Sequence, residues 1–382
     1  MLNIAVCGKF HYPKYLKYLY QEDFLDSFYC SYRIGADFGI PSNKNNNFFL
    51  KEYLYNLHLR TLGERGLNEM ALIYHQLWQS SVMRVFRPSD INHFMVHGNC
   101  TDLIALCKQE NAITIGEAVN AHPVFQDRLL NDEAKARGMM YNANVPIAKK
   151  MIAEFDAVDY LLVSSRFVKR TFVENGYDET KIITLPYGVE RPPRATKDSF
   201  EKHDVNRNKI KILCVGQITI RKGQYYLLEA INLLNKSSKG QLFDLTLVGS
   251  SEPIYMKLLN DLSVDFEHIR HVDNGSMTAF MAGFDIFVLP SLEDGFSVVV
   301  TEALSAGLPV VTTSNNGAAD IIEDGYNGIV VAAGDAIVIK QAIERIVDEK
   351  ITGKQKNLLS WKDYATQLKS KCEQILTEQN YA

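Results

Sequence analysis

The sequence lacks the features that would place it outside ordinary globular proteins. It has 382 residues, and its 41 basic and 45 acidic side chains leave a formal net charge of −4. Such a balance gives no bulk attraction to nucleic acid, so no nucleic-acid partner is expected. No apolar run approaches the ~20 residues of a membrane-spanning helix. The first residues, MLNIAVCGKF, read as a strand and not as a signal peptide. We therefore expect a cytoplasmic protein that is soluble or at most attached to a membrane surface.

Paired cysteines and the common nucleotide-binding motifs are also missing. The six cysteines form no C-x-x-C pair, which is typical of reduced thiols and argues against a zinc site or a disulfide framework. Neither G-x-G-x-x-G nor G-x-x-x-x-G-K-[ST] occurs. Dinucleotide binding and ATP hydrolysis at a Walker loop are therefore not favoured.

Short apolar runs alternate with helical patterns along almost the whole chain, which predicts α/β domains with mainly parallel sheets. The polar stretch 191–208 contains two prolines and is predicted to be a linker. It separates a first doubly wound domain, 1–190, from a second, 209–357. A last helix in 358–382 is expected to cross back to the first domain. A ligand site is then expected in the cleft between the domains, at the carboxyl ends of the strands.

The predicted strands of the two domains are short and regularly spaced. They are Leu2–Cys7, Ser27–Tyr32, His93–His97, Ala112–Ile115, Tyr160–Val163 and Ile182–Leu185 in the first domain, and Lys211–Val215, Leu242–Val248, Ile269–Val272, Ile286–Leu289, Pro309–Thr313 and Ile329–Val331 in the second. The segment SNKNNN, residues 42–47, is predicted to be a polar loop.

The run PSLEDGFSVVVTEALSAGLPVVTT, residues 290–313, carries two carboxylates across a glycine-containing turn that opens a helix. Glu302 lies in an almost wholly apolar stretch, and a buried carboxylate without a partner is costly. The two hydroxyls of a nucleotide ribose would satisfy both of its oxygens. The backbone N–H groups at the helix start would suit a diphosphate. The alternative is that Glu302 bonds a neighbouring loop in an ordinary strand–turn–helix unit.

Arg221 and Lys222 stand beside Gly223, directly before another predicted helix. Cations are unfavourable at the amino end of a helix dipole, and a bound anion would remove that conflict. Lysine and arginine both suit phosphate oxygens. The pair therefore indicates phosphate binding, with a solvated basic pair as the alternative.

Taken together, VGQITIRKGQYYLLEA and FDIFVLPSLEDGFSVVVTEALSAGLPVVTTSNNGAADIIEDGYNGIVV resemble the donor half of the family 4 glycosyltransferases. The resemblance covers most of residues 210–340. It implies the GT-B fold, in which two doubly wound Rossmann-like domains face each other across a cleft. It also implies a retaining enzyme that uses a nucleotide sugar as substrate and needs no metal or other cofactor.

The resemblance assigns roles to the two carboxylates. In the family the first contacts the transferred sugar and the second binds the ribose, and the matching residues here are Asp294 and Glu302. The first is an Asp where the family has Glu, so the adjacent Glu293 is an alternative contact for the sugar. The turn between the carboxylates would offer backbone N–H groups to the phosphates; its residues are Gly295, Phe296 and Ser297.

Further positions follow from the resemblance, and one follows from a missing side chain. The family commonly has an arginine directly after the glycine of the first donor strand, where this chain has Gln217. Lys222 keeps the second cationic position, and we expect Arg221 to supply the missing charge. The stretch AVNAHPVFQDRLLNDEAKARG, 118–138, places His122 where a bacterial subgroup has a histidine facing the sugar from the acceptor side. The alternative is that His122 only caps the following helix. Gly8 ends the first strand, where a missing side chain lets a ligand approach.

The implied reaction is transfer of a sugar from a nucleotide diphosphate sugar, expected to be a UDP- or GDP-sugar, to an acceptor hydroxyl. The acceptor would be a glycan, a lipid-linked glycan or a small molecule, in cell-surface polysaccharide or glycoconjugate synthesis. Lipid-linked acceptors would be compatible with peripheral attachment to the inner face of the membrane. Another GT-B chemistry, such as epimerisation or phosphorolysis, is one alternative. A catalytically degenerate binding or scaffold subunit is the other, since Asp294 and Gln217 depart from the family pattern.

Overall fold

The computed structural model describes residues 1–8, 10–32, 39–63, 65–141, 143–189, 209–237, 242–354 and 358–380. The predicted linker, 191–208, lies outside the described residues.

The first sheet has seven strands, and every neighbouring pair in it is parallel. Its strands are β1 (Leu2–Val6), β2 (Leu25–Cys30), β3 (Asn45–Asn47), β4 (Ile91–Met95), β5 (Ile113–Ala118), β6 (Tyr160–Val163) and β7 (Ile182–Thr184). They lie in the order β3-β2-β1-β4-β5-β6-β7. Its helices are α1 (Leu16–Gln21), α2 (Leu50–Leu62), α3 (Leu67–Met83), α4 (Thr101–Gln109), α5 (Pro123–Ala136), α6 (Val145–Ala157) and α7 (Arg166–Val173). Successive β1 residues such as Ile4 and Ala5 point into different buried clusters, so both faces of the sheet are covered.

The second sheet has six strands, again with parallel neighbours. Its strands are β8 (Lys209–Val215), β9 (Leu242–Val248), β10 (Glu267–Ile269), β11 (Ile286–Leu289), β12 (Val310–Thr313) and β13 (Gly328–Val331). They lie in the order β10-β9-β8-β11-β12-β13. The helices are α8 (Gln224–Ser237), α9 (Pro253–Asn260), α10 (Met277–Met281), α11 (Val298–Ser305) and α12 (Ala336–Glu349). Two doubly wound α/β units with parallel sheets are what the sequence predicts.

Each predicted strand corresponds to an observed one, with ends displaced by a few residues at most. The prediction of a polar loop at 42–47 is wrong. Residues Ser42–Lys44 form a 3-10 turn, and Asn45–Asn47 form β3, whose residues pair in parallel with β2. Three asparagines have low strand propensity and no apolar alternation, so only the ladder offered by the sheet edge makes them a strand.

The last helix, α13 (Trp361–Asn380), packs against the first half of the chain. Trp361, Tyr364 and Leu368 share a buried cluster with Tyr15 of the segment before α1. The backbone N–H of Val189 also donates to the carbonyl of Leu359 at 2.8 Å. The terminal helix therefore contributes to the core of the first sheet, while the domain boundaries themselves stay predictions.

Both sheets have a point at which the winding of the chain reverses. It lies between β1 and β4 in the first sheet and between β8 and β11 in the second. The crevice outside the carboxyl ends of such strands is the usual ligand site of open α/β sheets. In the second sheet, the loop after β8 carries Arg221 and Lys222, and the loop after β11 carries Glu293 and Asp294. The topology therefore brings the predicted cations and carboxylates to one place.

Candidate active site

The loops after β8 and β11 lie against each other at a glycine. Gly223 has φ +67°, and a Cβ at this position would lie 2.2 Å from the carbonyl oxygen of Pro290. A side chain is excluded there by both the backbone conformation and the lack of space. The N–H of Leu292 then donates to the carbonyl of Arg221 at 2.9 Å. This close approach sets the two cations beside the following carboxylates.

The cations and carboxylates form one ion-pair cluster. Asp294 accepts hydrogen bonds from the Lys222 ammonium and the Ser297 hydroxyl. Arg221 Nη1 lies 3.1 Å from Glu293 Oε2 and 4.0 Å from Asp294 Oδ1. Burial disfavours the charged form of Asp294, but Lys222 and Arg221 outweigh it and hold the pKa of this carboxyl below its ordinary value. Burial likewise opposes the charge of Arg221, and its two carboxylate neighbours raise its pKa.

Glu293 connects the two halves of the molecule. Its side chain is fully buried. It accepts the backbone N–H of Ala121 at 2.9 Å and the Gln126 amide at 2.6 Å, both from the first domain. Arg221 of the second domain donates to it as well, at 3.1 Å. A carboxylate with donors from both sides holds the cleft closed at this point.

The turn after Asp294 is the second contact between the halves. A Cβ on Gly295 would lie 1.8 Å from the carbonyl oxygen of Val119, so only glycine fits. The carbonyl of Gly295 accepts the hydroxyls of Ser164 at 3.0 Å and Ser165 at 2.9 Å. The next residue, Phe296, is buried in the core of the first sheet. The turn that is predicted to bind phosphates therefore also anchors the second domain to the first.

Three further predicted donor residues are Ser297, Glu302 and Gly8. Ser297 is the N-cap residue of α11, but its hydroxyl donates to Asp294 and accepts no backbone N–H of the helix. Glu302 lies within α11 and is half-buried. Gly8 follows β1 in the first domain, where a Cβ would lie 2.3 Å from the Phe10 ring. The missing side chain at Gly8 thus leaves room for the Phe10 ring of the same loop.

His122 has a different orientation from the one expected. Its ring packs edge-to-face on Phe172 at 5.1 Å, and its Nδ1 accepts the N–H of Val124 at 3.3 Å as the N-cap of α5. Burial lowers the pKa of His122 to about 4. The ring does not line the cavity described below. The contact to Glu293 comes from the backbone of the preceding residue, Ala121. The Nδ1 of His122 thus caps α5, its Nε2 has no hydrogen-bond partner among the described residues, and a catalytic role for His122 stays a prediction.

A cavity of about 520 Å³ lies in the first domain beside this cluster. Its lining includes Gln126 and Ala121, which both bond Glu293. It also includes Cys7 and His97, which follow β1 and β4. The lining combines aliphatic side chains, such as Leu67, Ile147 and Met151, with polar and aromatic ones; the latter include Phe10, Tyr32, Lys51, Glu52, Tyr55, Asn68, His75, Asn120, Asp127, Tyr141 and Asn144. An acceptor in this cavity would lie next to the ion-pair cluster.

Another buried carboxylate, Glu117 of β5, is absent from the residues that the sequence predicted for the site. The Tyr12 hydroxyl donates to it at 2.7 Å and the Tyr187 hydroxyl at 2.8 Å. His11 Nε2 lies 3.1 Å and His93 Nε2 3.0 Å from its oxygens. Burial disfavours its charged form, but His11 and His93 outweigh it, so the pKa of Glu117 lies well below its ordinary value. The sequence signal that could have identified this residue is a single Glu near the end of the apolar run ITIGEA.

Two kinds of feature are not found in the described residues. They contain no group of three or more His, Cys, Asp or Glu side chains placed to hold a metal ion. None of their helices has both the length and the apolar character needed to cross a bilayer. The cationic groups at the site are Arg221 and Lys222.

Comparisons with known proteins agree with this geometry. Residues 209–349 match the family model of glycosyl transferases group 1. A capsular polysaccharide biosynthesis glycosyltransferase, CapM of Staphylococcus aureus, is 28% identical over 218 residues, which cover 52% of this chain and 54% of CapM. The UDP-Gal:α-D-GlcNAc-diphosphoundecaprenol α-1,3-galactosyltransferase of Escherichia coli is 24% identical over 46% of this chain and 47% of that enzyme. The chain thus spans about half the length of these curated relatives.

The likeness to solved structures extends over the whole chain. The sucrose-phosphate synthase of Thermosynechococcus elongatus has a TM-score of 0.67 at 15% identity, covering 99% of this chain and 100% of that one. At this identity the comparison concerns the fold alone. The chain therefore has the GT-B fold, and its second domain matches the glycosyl transferases group 1 over residues 209–349.

Proposed function

We propose that the protein is a retaining glycosyltransferase that moves a sugar from a nucleotide diphosphate sugar to an acceptor hydroxyl, without a metal ion. The observation that carries the proposal is the cluster of Arg221 and Lys222 with Glu293 and Asp294 at the switch point of the second sheet. The match to glycosyl transferases group 1 covers this cluster. The named activities of the two relatives support the same reaction class.

The cations would act on the leaving diphosphate. Lys222 and Arg221 are held by carboxylates, and a diphosphate would compete with Asp294 for the same ammonium group. The amino end of α11, which begins after Ser297, adds backbone N–H groups that favour an anion. Positive charge already in place where negative charge develops lowers the barrier without reorganisation. Glu302, later in the same helix, would bind the ribose hydroxyls.

The acceptor would enter from the first-domain cavity. The lining of this cavity includes Gln126 and Ala121, the residues that bond Glu293. The transferred sugar would lie at this junction, with Glu293 or Asp294 as its carboxylate contact. Contacts from both domains close the cleft and exclude the water that would hydrolyse the donor. Attack from the same face as the departing phosphate would retain the anomeric configuration.

The relatives' names suggest the biological setting. One takes part in capsular polysaccharide biosynthesis and the other acts on a diphosphoundecaprenol-linked sugar. We extend this to a glycan or lipid-linked acceptor in cell-surface polysaccharide or glycoconjugate synthesis, with a UDP- or GDP-sugar as donor. Peripheral attachment to the inner face of the membrane belongs to the same proposal.

The donor is tested first by thermal shift against UDP-, GDP-, ADP- and CDP-sugars, because a ligand that binds only the folded state stabilises it. Glu302→Ala should then raise the donor KM by about thirtyfold or more, since losing a charged hydrogen-bond partner costs ~2–4 kcal/mol. Glu344→Ala, on the surface helix α12, is the control. Wild-type donor kinetics in Glu302→Ala would reject the ribose role. A protein that neither binds nor hydrolyses any nucleotide sugar would instead be a scaffold.

A further inference from the structure

The guanidinium group of Arg221 is held through a single nitrogen. Its Nη1 lies 3.1 Å from Glu293 Oε2 and 3.2 Å from the Glu293 carbonyl oxygen. Among the described residues, its Nη2 and Nε have no hydrogen-bond partner. A guanidinium is a planar group of N–H donors, and one edge of it can bond two oxygens of a phosphate. Glu293 therefore fixes the group from one side and leaves the edge of Nε and Nη2 for an anion.

The carboxylate of Glu293 is fully used by protein donors. The N–H of Ala121 donates to Oε1 at 2.9 Å, and the Gln126 amide donates to Oε2 at 2.6 Å, beside Arg221. The side chain is fully buried, so a sugar hydroxyl has no access to it. Asp294 differs, because its Oδ1 accepts no hydrogen bond from the described residues. Of the two adjacent carboxylates, Asp294 is therefore the one with an oxygen left for a ligand.

The orientation of Arg221 depends on both domains. Ala121 and Gln126 belong to the first domain, whereas Glu293 and Arg221 belong to the second. When the cleft opens, Glu293 loses its first-domain donors and becomes solvated. A solvated carboxylate holds a long, flexible side chain only weakly. The guanidinium is thus preorganised when the cleft is closed, and preorganised charge stabilises a developing anion without reorganisation.

We propose that Glu293 is a positioning residue that orients Arg221 toward the leaving diphosphate. Its contacts with Ala121 and Gln126 make this orientation depend on closure of the cleft. The proposal rests on the proposed function, since the diphosphate is that of the proposed donor. The coupling would restrict departure of the diphosphate to the closed form, from which water is excluded.

The first experiment is a double-mutant cycle on the full chain, with inorganic pyrophosphate as the probe and calorimetry as the measurement. Arg221→Ala should weaken pyrophosphate binding about tenfold, the effect of losing a charged hydrogen-bonding group. In the Glu293→Gln background, the same change should weaken it by about threefold or less, because the arginine is no longer held in place. An effect of Arg221→Ala as large in Glu293→Gln as in wild type would overturn the proposal. Glu293 would then only compete with the anion.

The second experiment follows hydrolysis of the nucleotide sugar that stabilises wild type in the thermal-shift screen. Glu293→Gln should lower kcat about tenfold or more and leave KM within about threefold, since the positioned cation acts in the transition state. A raised KM with unchanged kcat would make Glu293 a binding contact of the donor. A lower melting temperature with unchanged kcat would make it a structural residue. Either result would overturn the proposal.

Glu293→Asp takes the place of Glu293→Gln if the latter does not fold. It keeps the charge, but its side chain is one methylene shorter, so it should move the guanidinium and lower kcat as well. The matched control is Arg166→Ala. Arg166 also joins the two domains, with its Nε 3.0 Å from Asp320 Oδ1. Since this pair does not involve Arg221, kcat should stay within about twofold of wild type. A fall in kcat as large as that of Glu293→Gln would show that loosening of the cleft alone causes the loss.

The two probes separate this proposal from the proposed function. If the pyrophosphate cycle shows the coupling but the protein binds no nucleotide sugar, the proposed function is rejected and the positioning role is kept. If a nucleotide sugar is bound and hydrolysed but Glu293 and Arg221 act independently, the reverse holds. Failure of wild type to bind pyrophosphate would also overturn the positioning role.

Discussion

Two buried carboxylate clusters stand at the carboxyl ends of the two parallel sheets, and they are built from different partners. Glu117 at the end of β5 is surrounded by two tyrosine hydroxyls and two histidine rings. Glu293 and Asp294, after β11, face a lysine, an arginine, a hydroxyl and groups from the other domain. The first cluster is part of the core of one sheet, whereas the second spans the cleft.

The difference separates a structural network from an exchangeable site. Tyrosine hydroxyls buried in the core lose their hydrogen bonds if the carboxylate is removed, so the Glu117 network is costly to open. Ionic partners in a cleft are different, because an incoming anion can replace a carboxylate at the same cation. A buried ion pair contributes little net stability against its desolvation cost, which favours a functional role for the second cluster. Mutations in the two clusters should therefore separate activity from stability.

The largest effect is expected for Lys222→Ala. Removing a cation that stabilises the leaving diphosphate should slow turnover by about 100-fold or more, as with other lost oxyanion donors. Steady-state kinetics with the donor identified by thermal shift measures this. Lys340→Ala, which removes a lysine from an i,i+4 pair on α12, is the control. A turnover rate equal to that of wild type would show that Lys222 takes no part in departure of the diphosphate.

Glu117→Gln should lower stability and leave donor kinetics nearly unchanged, in contrast to Lys222→Ala. Replacing this carboxylate weakens four contacts in the core, so the free energy of unfolding should fall by about 2–3 kcal/mol. The donor KM should stay within about twofold of wild type. Urea unfolding and donor kinetics on one preparation test both statements. A large fall in turnover with unchanged stability would place Glu117 in the active site and remove the contrast between the clusters.

The Glu117 network should also make the protein sensitive to acid. Its pKa in the folded state lies well below the ordinary value of 4.5, so its stabilising contribution is complete above that pH. The contribution is lost as the pH falls through the lower, folded-state pKa. Wild type should therefore lose stability more steeply below about pH 4.5 than Glu117→Gln does. Parallel melting curves for the two proteins in that range would contradict the assignment.

The smallest effect is expected for His122→Asn, which keeps a side chain able to cap α5. At neutral pH, turnover should remain within about threefold of wild type. The pKa of His122 is lowered from 6.5 to about 4, so the folded state binds fewer protons than the unfolded state between these values. Wild type should therefore lose stability as the pH falls from 6.5 to 4, and the variant should lose less. Chemical denaturation at several pH values measures the slope. If the variant instead turns over about 100-fold more slowly than wild type, His122 takes part in the reaction.

Most strands could be located from the sequence, because buried parallel strands are short apolar runs between helical patterns. The exception is β3, since three asparagines become a strand only when β2 offers a ladder. The sequence did not show that the His122 ring packs on the Phe172 side chain while its Nδ1 caps α5. No local pattern could join Tyr12, His93 and Tyr187 to Glu117, because these residues are far apart in the sequence.

By itself the sequence determined the parallel α/β architecture, because short apolar strands and helical patterns are local features of the chain. The resemblance of its motifs also indicated the residues that form the ion-pair cluster. The tertiary structure alone decided that Glu293 takes donors from both domains, and that Gly295 fits against Val119. It also decided which residues far apart in the chain, such as Cys7, His97 and Gln126, line one cavity. The physical reason is that these contacts depend on how two sheets and their helices pack, and residues far apart in the chain meet only there.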